Sequence, residues 1–164
     1  LDSMNLWITI AKEELVEAME RVDIVVINDG EATMLSGNDN LVQAAKDVQA
    51  MASIPILIIK KGEHGVLALH GDQIVALPAF PTDLVVDPTG CGDTFAGTLA
   101  TYLAAGSGPI EIEELRNALI HATVSASFTL QGFGIKGLQS ITLESYEQRL
   151  IEYTSISGTS VNTT

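Results

Sequence analysis

Two uninterrupted apolar runs restrict the fold of this chain more than any other feature. They lie in DIVVIN (residues 23–28) and IPILIIKKG (residues 54–62). Strands that are apolar without alternation are typical of sheets covered on both faces. An amphipathic helical pattern precedes each run, at residues 11–22 and 40–52. Because strands alternate with helices, we predict an α/β fold: a layered, mostly parallel sheet with helices on both faces.

Turn and helix signals extend this assignment along the chain. Residues 29–37 predict a short helix that ends at Gly37, and Asp39 or Asn40 is the expected N-cap of the helix that follows. Residues 66–77 predict two strands joined by a tight turn, which adds antiparallel character. Three later helices are predicted, at residues 93–105, 112–130 and 143–153.

The organisation expected from length is one domain. The sequence has 164 residues, which fits a single domain over residues 1–152 followed by a polar tail over residues 153–164. The opening stretch, LDSMNLWI, reads as the end of a strand that enters a loop. We therefore expect this chain to begin inside a larger protein.

Charge and cysteine content exclude some classes of function. The 8 basic and 21 acidic residues give a net charge of −13, which argues against a general surface for nucleic acid or anionic membranes. A small phosphate site made of backbone N–H groups and a metal ion remains open. One cysteine cannot form an internal disulfide, and no apolar run is long enough to span a membrane. We expect a cytoplasmic protein.

A glycine-rich stretch is the first candidate site. DPTGCGD (residues 87–93) follows Val85–Val86, read as a strand, and precedes a helix. Ligands of open α/β sheets bind beyond the carboxyl ends of strands. Gly90 and Gly92 permit close backbone approach, and the N–H groups at the helix start could hold a phosphate. Asp93 is either a general base that takes a proton from an attacking hydroxyl or the N-cap of its own helix.

A second polar cluster, NDGE (residues 28–31), follows the first apolar run. Glu31 could hold a water bound to Mg²⁺, and Asn28 could donate to a phosphate oxygen. The alternative is a helix cap, in which Asn28 or Asp29 is the N-cap and Glu31 lies in the first turn. Two such clusters at strand ends make a joint accident less credible.

Together these residues resemble the ribokinase-like (PfkB) family of carbohydrate and nucleoside kinases. DPTGCGDTFAG is similar to the family's C-terminal signature, NDGE to its N-x-x-E motif, and KKGEHG to the stretch before its nucleotide pocket. Their order and spacing agree over residues 1–150. Cys91 departs from the family, which has Ala or Gly there. At a helix N-terminus the pKa of Cys91 could be lowered, although a small packing residue is the favoured interpretation.

The resemblance implies a ribokinase-like fold and transfer of the γ-phosphoryl group of Mg-ATP to a hydroxyl of a sugar or nucleoside. Asp93 would be the catalytic base, within an anion hole made by the backbone N–H groups of Gly90, Cys91, Gly92 and Asp93. Asn28 and Glu31 would serve Mg²⁺ and the phosphates, Glu31 through water.

The remaining assignments from the resemblance concern the nucleotide and a second cation. Lys61 and Gly62 would lie near the nucleotide, and Asp87 would help to hold a monovalent cation such as K⁺. The adenine pocket would lie between residues 78–86 and the helix that carries His121, Val124 and Ser125.

Family members are considerably longer than this chain. The resemblance therefore implies the nucleotide-binding and catalytic half alone, with the N-terminal half and the lid absent. Such a half would be inactive by itself, and any homodimer would form through the missing lid. Two alternatives remain: a nucleotide-binding module without turnover, and an unrelated α/β domain that uses both loops as helix caps. The acceptor stays open among sugars, sugar phosphates and nucleosides.

Overall fold

The computed structural model describes residues 1–160. The chain divides into two compact units, Leu1–Ala76 and the part that begins at Leu77. These are called the first and the second unit.

The first unit contains the sheet, apart from Leu77 at the end of its last strand. Its elements are α1 (Asn5–Ile10), α2 (Lys12–Met19), β1 (Ile24–Asn28), α3 (Asp29–Ser36), α4 (Leu41–Met51), β2 (Ile56–Lys60), a 3₁₀ turn (Gly62–His64), β3 (Val66–His70) and β4 (Gln73–Leu77). The strands lie in the order β1-β2-β3-β4. The predicted strands at 23–28 and 54–62 and the predicted pair at 66–77 are therefore confirmed.

The direction of each strand pair follows from the length of its connection. β1 and β2 are parallel, with Val25 opposite Leu57, and their connection is long enough to hold α3 and α4. β2 and β3 are antiparallel, with Ile59 opposite Leu67, because the short connection between them cannot form a crossover. The α/β class is confirmed, and the sheet mixes parallel and antiparallel pairs where we expected it to be mostly parallel.

One hydrophobic core lies between the helices and one face of this sheet. The sheet side chains in it alternate along the strands: Val25 and Ile27, Leu57 and Ile59, Leu67 and Leu69. The helices contribute Met19, Leu35 and Val48. On the opposite face of the sheet Val26, Ile58 and Ala68 are buried as well. Burial on both faces explains why the strands lack a polar alternation.

Two predicted helix ends are confirmed and one element was missed. Gly37 ends α3 in the left-handed region with φ 72°, and the Asn40 side chain caps α4 by accepting from the Gln43 N–H. Only the first two residues behave as a strand end, since Asp2 bridges Val26. The chain then forms α1, whose Ile8 is buried while Trp7 and Ile10 are exposed. A helix this short, with apolar residues all round, has no helical pattern to detect.

The described residues of the second unit, 77–160, form four helices. They are α5 (Cys91–Ala104), α6 (Ile112–Thr129), α7 (Lys136–Gln139) and α8 (Leu143–Ser157). α6 is the central helix of this unit, because it packs against α5, α7 and α8. Within the described residues of both units, no helix is long and apolar enough to cross a membrane.

Two expectations for this unit were wrong. Val85–Val86 do not form a strand: they are 58% and 39% exposed, and the N–H of Val86 bonds to the carbonyl of Leu130 at the end of α6. α8 continues past residue 153 to Ser157, because Tyr153 is fully buried and its hydroxyl donates to the Pro78 carbonyl at 2.7 Å. The polar tail thus starts later than expected, and residues 161–164 of it lie outside the described residues.

Candidate functional site

The loop before α5 exposes backbone donors. Gly90 precedes the helix with φ 85°, a left-handed conformation that favours glycine. The Cys91 N–H bonds to the Pro88 carbonyl at 3.2 Å and the Thr94 N–H to the Gly90 carbonyl at 2.9 Å. Between them, the N–H groups of Gly92 and Asp93 have no acceptor among residues 1–160. Unpaired donors at a helix start, reinforced by the helix dipole, favour an anion.

Asp93 is the third residue of α5 and not its N-cap. The cap position belongs to Gly90, which has no side chain to offer. Asp93 is exposed, and its carboxylate forms neither a hydrogen bond nor an ion pair within the described part of the chain. The cap interpretation of Asp93 was therefore wrong, and the carboxylate is available to a ligand.

Asp87 and Cys91 are coupled electrostatically at the same loop. The N–H of Thr89 donates to Asp87 at 2.9 Å, and this contact together with the Thr89 hydroxyl lowers the pKa of Asp87. Burial, and secondarily the charge of Asp87, raise the pKa of the Cys91 thiol. The possibility of a lowered pKa at Cys91 was wrong, because desolvation outweighs the helix N-terminus. A protonated thiol agrees with a small packing residue.

A cleft of about 490 Å³ follows α5 from Thr94, the residue after Asp93. Its floor is a stripe of small and hydroxyl side chains at helical spacing, which ends in an aromatic ring: Thr94, Gly97, Thr98, Thr101 and Tyr102. The opposite wall includes His121, Ser125 and Tyr146. A hydrogen bond of 2.9 Å between the hydroxyls of Thr94 and Thr129 ties the start of α5 to the end of α6. This bond fixes the end of the cleft at Thr94, next to the glycine loop.

The far end of the cleft is aromatic. The His121 ring stacks on Tyr102, with 4.9 Å between centroids and 25° between planes. Its Nδ1 lies 2.8 Å from the hydroxyl of Tyr146. Burial lowers the pKa of His121, so the imidazole is neutral near neutral pH. A flat, partly polar wall of this kind suits a planar heteroaromatic ring.

The expected adenine pocket is not one cavity in this structure. His121 and Ser125 line the cleft along α5, whereas Val124 is fully buried. Residues 80–83 instead line a separate cavity of about 560 Å³ with Gln131, Arg149 and Glu152. The N–H groups of Val86 and Asp87 bond to the carbonyl of Leu130, at the end of α6. Nine helical steps separate Leu130 from His121, which is about 13 Å.

In the first unit, Asn28 and Glu31 form a capping box at the start of α3. The Glu31 N–H donates to Asn28 Oδ1, and the Asn28 N–H donates to Glu31 Oε2, each at 2.8 Å. The cap interpretation is confirmed, with Asn28 rather than Asp29 as the N-cap. Burial raises the pKa of Glu31, while the Asn28 N–H and the Lys60 charge oppose this rise. The other oxygen, Oε1, has no partner within the described residues and is not sealed from solvent.

The two lysines at the end of β2 and just after it differ in their contacts. Asn28 and Lys60 are opposite each other at the carboxyl ends of β1 and β2. The Lys60 ammonium pairs with Asp2 at 3.2 Å. Lys61 is half-buried, and its N–H bonds to the Gly65 carbonyl at 2.7 Å. This contact closes a turn in which Gly62 has φ 55°. Lys61 therefore begins a tight turn at the end of β2.

Each unit thus gathers some of the predicted residues. The first unit places Asn28, Glu31 and the turn at Lys61–Gly62 at the ends of two neighbouring parallel strands. In the second unit, His121 and Ser125 line one cleft, whose lining begins at Thr94, immediately after the Gly90–Asp93 loop. Sequence reasoning missed Tyr102 and Tyr146. The threonines on α5 follow an i, i+4, i+7 spacing that can be read from the sequence. No local pattern indicates that Tyr146 lines the same cleft.

Metal binding has limited support from protein side chains alone. Among residues 1–160 no group of three or more His, Cys, Asp or Glu side chains could hold a metal ion. Mg²⁺ commonly keeps several waters and uses one or two carboxylates together with substrate phosphates. The free Oε1 of Glu31 fits such a role, and a cage made only of protein ligands does not.

Comparison with known proteins identifies a protein family for most of the chain. Residues 2–140 match the pfkB family of carbohydrate kinases. The bifunctional ribokinase/ribose-5-phosphate isomerase A of Fructilactobacillus sanfranciscensis is 32% identical over 133 residues, which covers 76% of this chain and 23% of that protein. The cytidine kinase of Thermococcus kodakarensis is 39% identical over 102 residues, which covers 61% of this chain and 36% of the kinase.

A solved structure confirms the likeness of fold. The ribokinase of Arabidopsis thaliana, solved with ribose and ATP, superposes with a TM-score of 0.68 at 23% identity. The match covers 82% of this chain and 43% of that ribokinase. The chain therefore spans less than half the length of the relatives that it matches.

Proposed function

Because the chain belongs to the pfkB family of carbohydrate kinases, we propose that it contributes the nucleotide-binding and phosphoryl-transfer part of an ATP-dependent kinase. The acceptor is a hydroxyl of a sugar or a nucleoside. The observations that support this most are the free N–H groups of Gly92 and Asp93 at the start of α5 and the cleft that follows α5 from Thr94 to Tyr102 and His121. The relatives named for ribose and for cytidine leave both classes of acceptor open.

The length of the cleft agrees with a nucleoside triphosphate. Eight helical steps lie between Thr94 and Tyr102, a rise of about 12 Å along the axis of α5. A triphosphate held at the glycine loop would therefore place its base near Tyr102 and His121. Gly97 leaves the middle of the cleft open, since no atom lies within 4 Å of the Cβ that another residue would have there. ATP in the solved Arabidopsis ribokinase supports this choice of nucleotide.

The chemistry follows from Asp93 and the loop before it. As the acceptor oxygen bonds to the γ-phosphorus, Asp93 takes the hydroxyl proton, and the bond to the leaving ADP breaks. The N–H groups of Gly92 and Asp93, with Gly90 and Cys91 shaping the loop, stabilise the charge that develops on the transferred group. The carboxylate repels phosphate in the ground state, so its benefit lies in orienting and deprotonating the hydroxyl.

Two cation sites are further parts of the proposed reaction. Glu31, through Oε1 and a water, and Asn28 would serve Mg²⁺ and the phosphates, and Mg²⁺ when bound neutralises phosphate charge. Lys61 and Gly62 would contact the nucleotide. Asp87 would contribute its carboxylate to a K⁺ site, and the Thr89 hydrogen bonds that lower its pKa favour the ionised form.

A nucleotide-binding module without turnover is the second candidate. One observation favours it: the Asn28–Glu31 pair is already used as a capping box, so its presence needs no catalytic explanation. Both candidates predict binding of Mg-ATP, and only the kinase predicts ADP production with an acceptor.

The test separates binding from turnover. Titration calorimetry of Mg-ATP into the chain measures binding, and coupled detection of ADP with a panel of sugars and nucleosides measures turnover in the longest natural product that contains this sequence. We expect the Asp93→Asn variant to retain ATP binding and to lose about 10²–10⁴-fold in kcat. Near-normal turnover of this variant would overturn the assignment of the base. Binding without turnover in the unmodified protein would favour the second candidate.

A further inference from the structure

We propose that Tyr146 of α8 is a positioning residue that sets the base selectivity of the cleft by fixing the orientation of the His121 ring. This inference rests on the proposed function, because it takes the ligand near His121 to be the base of the nucleotide. It assigns a role to a residue outside every motif of the sequence. Tyr146 acts through His121.

Stacking alone does not fix the His121 ring. Tyr102 restricts the plane of the imidazole, since the two planes differ by only 25°. A half-turn about the Cβ–Cγ bond would preserve this stacking while exchanging ring nitrogens for ring carbons, and that torsion is broad and roughly two-fold. The contact of 2.8 Å between Nδ1 and the Tyr146 hydroxyl selects one of the two orientations.

The selected orientation leaves Nε2 for a ligand. Within the described residues Nε2 has no hydrogen-bond partner, and it is not one of the polar atoms sealed from solvent. Because His121 lines the cleft, we infer that Nε2 reaches it. A neutral imidazole has one donor and one acceptor nitrogen. With Nδ1–H as the donor to the Tyr146 oxygen, Nε2 is an acceptor toward the ligand, and this is the tautomer that the proposal requires.

Tyr146 is itself held in place from two sides. A capping box of Thr142 and Ser145 fixes the start of α8 immediately before it. Its ring lies against Phe128, with 6.4 Å between centroids and 17° between planes. The guanidinium of Arg149 packs over the Phe128 ring, 3.6 Å from its centroid. A hydroxyl on so constrained a ring can hold its partner in one orientation.

A fixed Nε2 distinguishes bases that differ at one edge. Adenine presents an amino donor at position 6, where guanine and its relatives present a carbonyl acceptor. Hypoxanthine makes the same exchange without the amino group of guanine at position 2. ATP and inosine triphosphate are therefore a matched pair of probes for the orientation of His121.

The test is Tyr146→Phe, which keeps the ring and removes one oxygen. In the unmodified chain we expect Mg-ATP to bind about five- to tenfold more tightly than Mg-inosine triphosphate, the factor that one net hydrogen bond supplies. In Tyr146→Phe we expect this ratio to fall to about twofold or less. Tyr153→Phe is the matched control, because it removes a buried hydroxyl bond from the same helix without lining the cleft, and it should keep the ratio.

A ligand-free readout separates this proposal from the proposed function. The ¹⁵N shifts of the His121 ring, assigned by comparison with His121→Gln, should report one tautomer in the unmodified chain and a mixture in Tyr146→Phe. If neither nucleotide binds, the proposed function fails, and the tautomer comparison alone decides the positioning role. An unchanged binding ratio, or an unchanged tautomer where nothing binds, overturns the role of Tyr146.

Discussion

Gly97 combines a cost to the helix with an open space in the cleft, and this allows a quantitative test. It lies inside α5 (Cys91–Ala104), and glycine within a helix is less stable than alanine by about 0.5–1 kcal/mol. A Cβ at this position would meet no atom within 4 Å. Gly97→Ala should therefore recover most of that energy. For a chain of this size the melting temperature should rise by about 1–4 °C.

The same space should be required for the ligand. Gly97→Leu adds a branched side chain in the middle of the cleft, where Gly97 lines the wall. With Mg-ATP at about 100 times its Kd, binding should stabilise the unmodified chain by about 2.7 kcal/mol. In the leucine variant this stabilisation should nearly vanish, with affinity reduced at least about tenfold, whereas the ligand-free protein stays folded.

Scanning fluorimetry with and without Mg-ATP measures both effects, and calorimetry gives the Kd. Ala100→Leu is the matched control, because Ala100 is an exposed residue of the same helix that does not line the cleft. A lower melting temperature for Gly97→Ala would show that the space is not open. Unaltered ATP affinity in Gly97→Leu would refute the assignment of the cleft to the nucleotide.

Three further predictions concern individual charges. In Asp93→Asn the Kd for ATP should stay equal or fall, because a carboxylate near the phosphates is removed, and kcat should fall about 10²–10⁴-fold. The control Asp72→Asn, at an exposed turn, should change neither the Kd nor kcat. Glu31→Gln should keep the capping box, since glutamine serves there as well as glutamate. We expect this variant to unfold at the same denaturant concentration as the unmodified chain, but to bind ATP more weakly in the presence of Mg²⁺. An unchanged dependence of ATP binding on Mg²⁺ would refute the assignment of Glu31 to the metal site. Burial lowers the pKa of His121 below its usual 6.5, so the imidazole is protonated more readily in the unfolded chain, and the free energy of unfolding should decrease as the pH falls below about 6.5. Urea titrations should show a smaller decrease in His121→Gln, whereas His64→Gln should behave like the unmodified chain. Equal dependence of the unfolding free energy on pH in all three proteins would contradict this role of His121.

Features decided by neighbouring residues were predictable from the sequence. The Gly37 end of α3 and the Asn40 cap of α4 depend on one or two residues each, so the local sequence is enough to locate them. The strands β1 and β2 were equally clear, because burial on both faces leaves no polar positions within them. The Asn28–Glu31 cap followed from the same local spacing.

Features that depend on a distant partner were not predictable. Val85 and Val86 look like strand residues, but a strand requires a neighbouring edge, and the backbone of this segment bonds to Leu130 instead. The start of α5 depends on the turn from Pro88 to Cys91, which puts Asp93 inside the helix and frees its carboxylate from capping. Tyr146 meets His121 across 25 residues of sequence, and no local pattern connects them.

The raised pKa of Cys91 has a consequence for the chemical durability of the glycine loop. Peroxides and alkylating agents react with the thiolate, and a loop at a helix N-terminus would ordinarily favour that form. Here burial and the nearby Asp87 keep the sulfur protonated. The chain therefore carries its single cysteine in the Gly90–Asp93 loop without making that loop an easy target for oxidation.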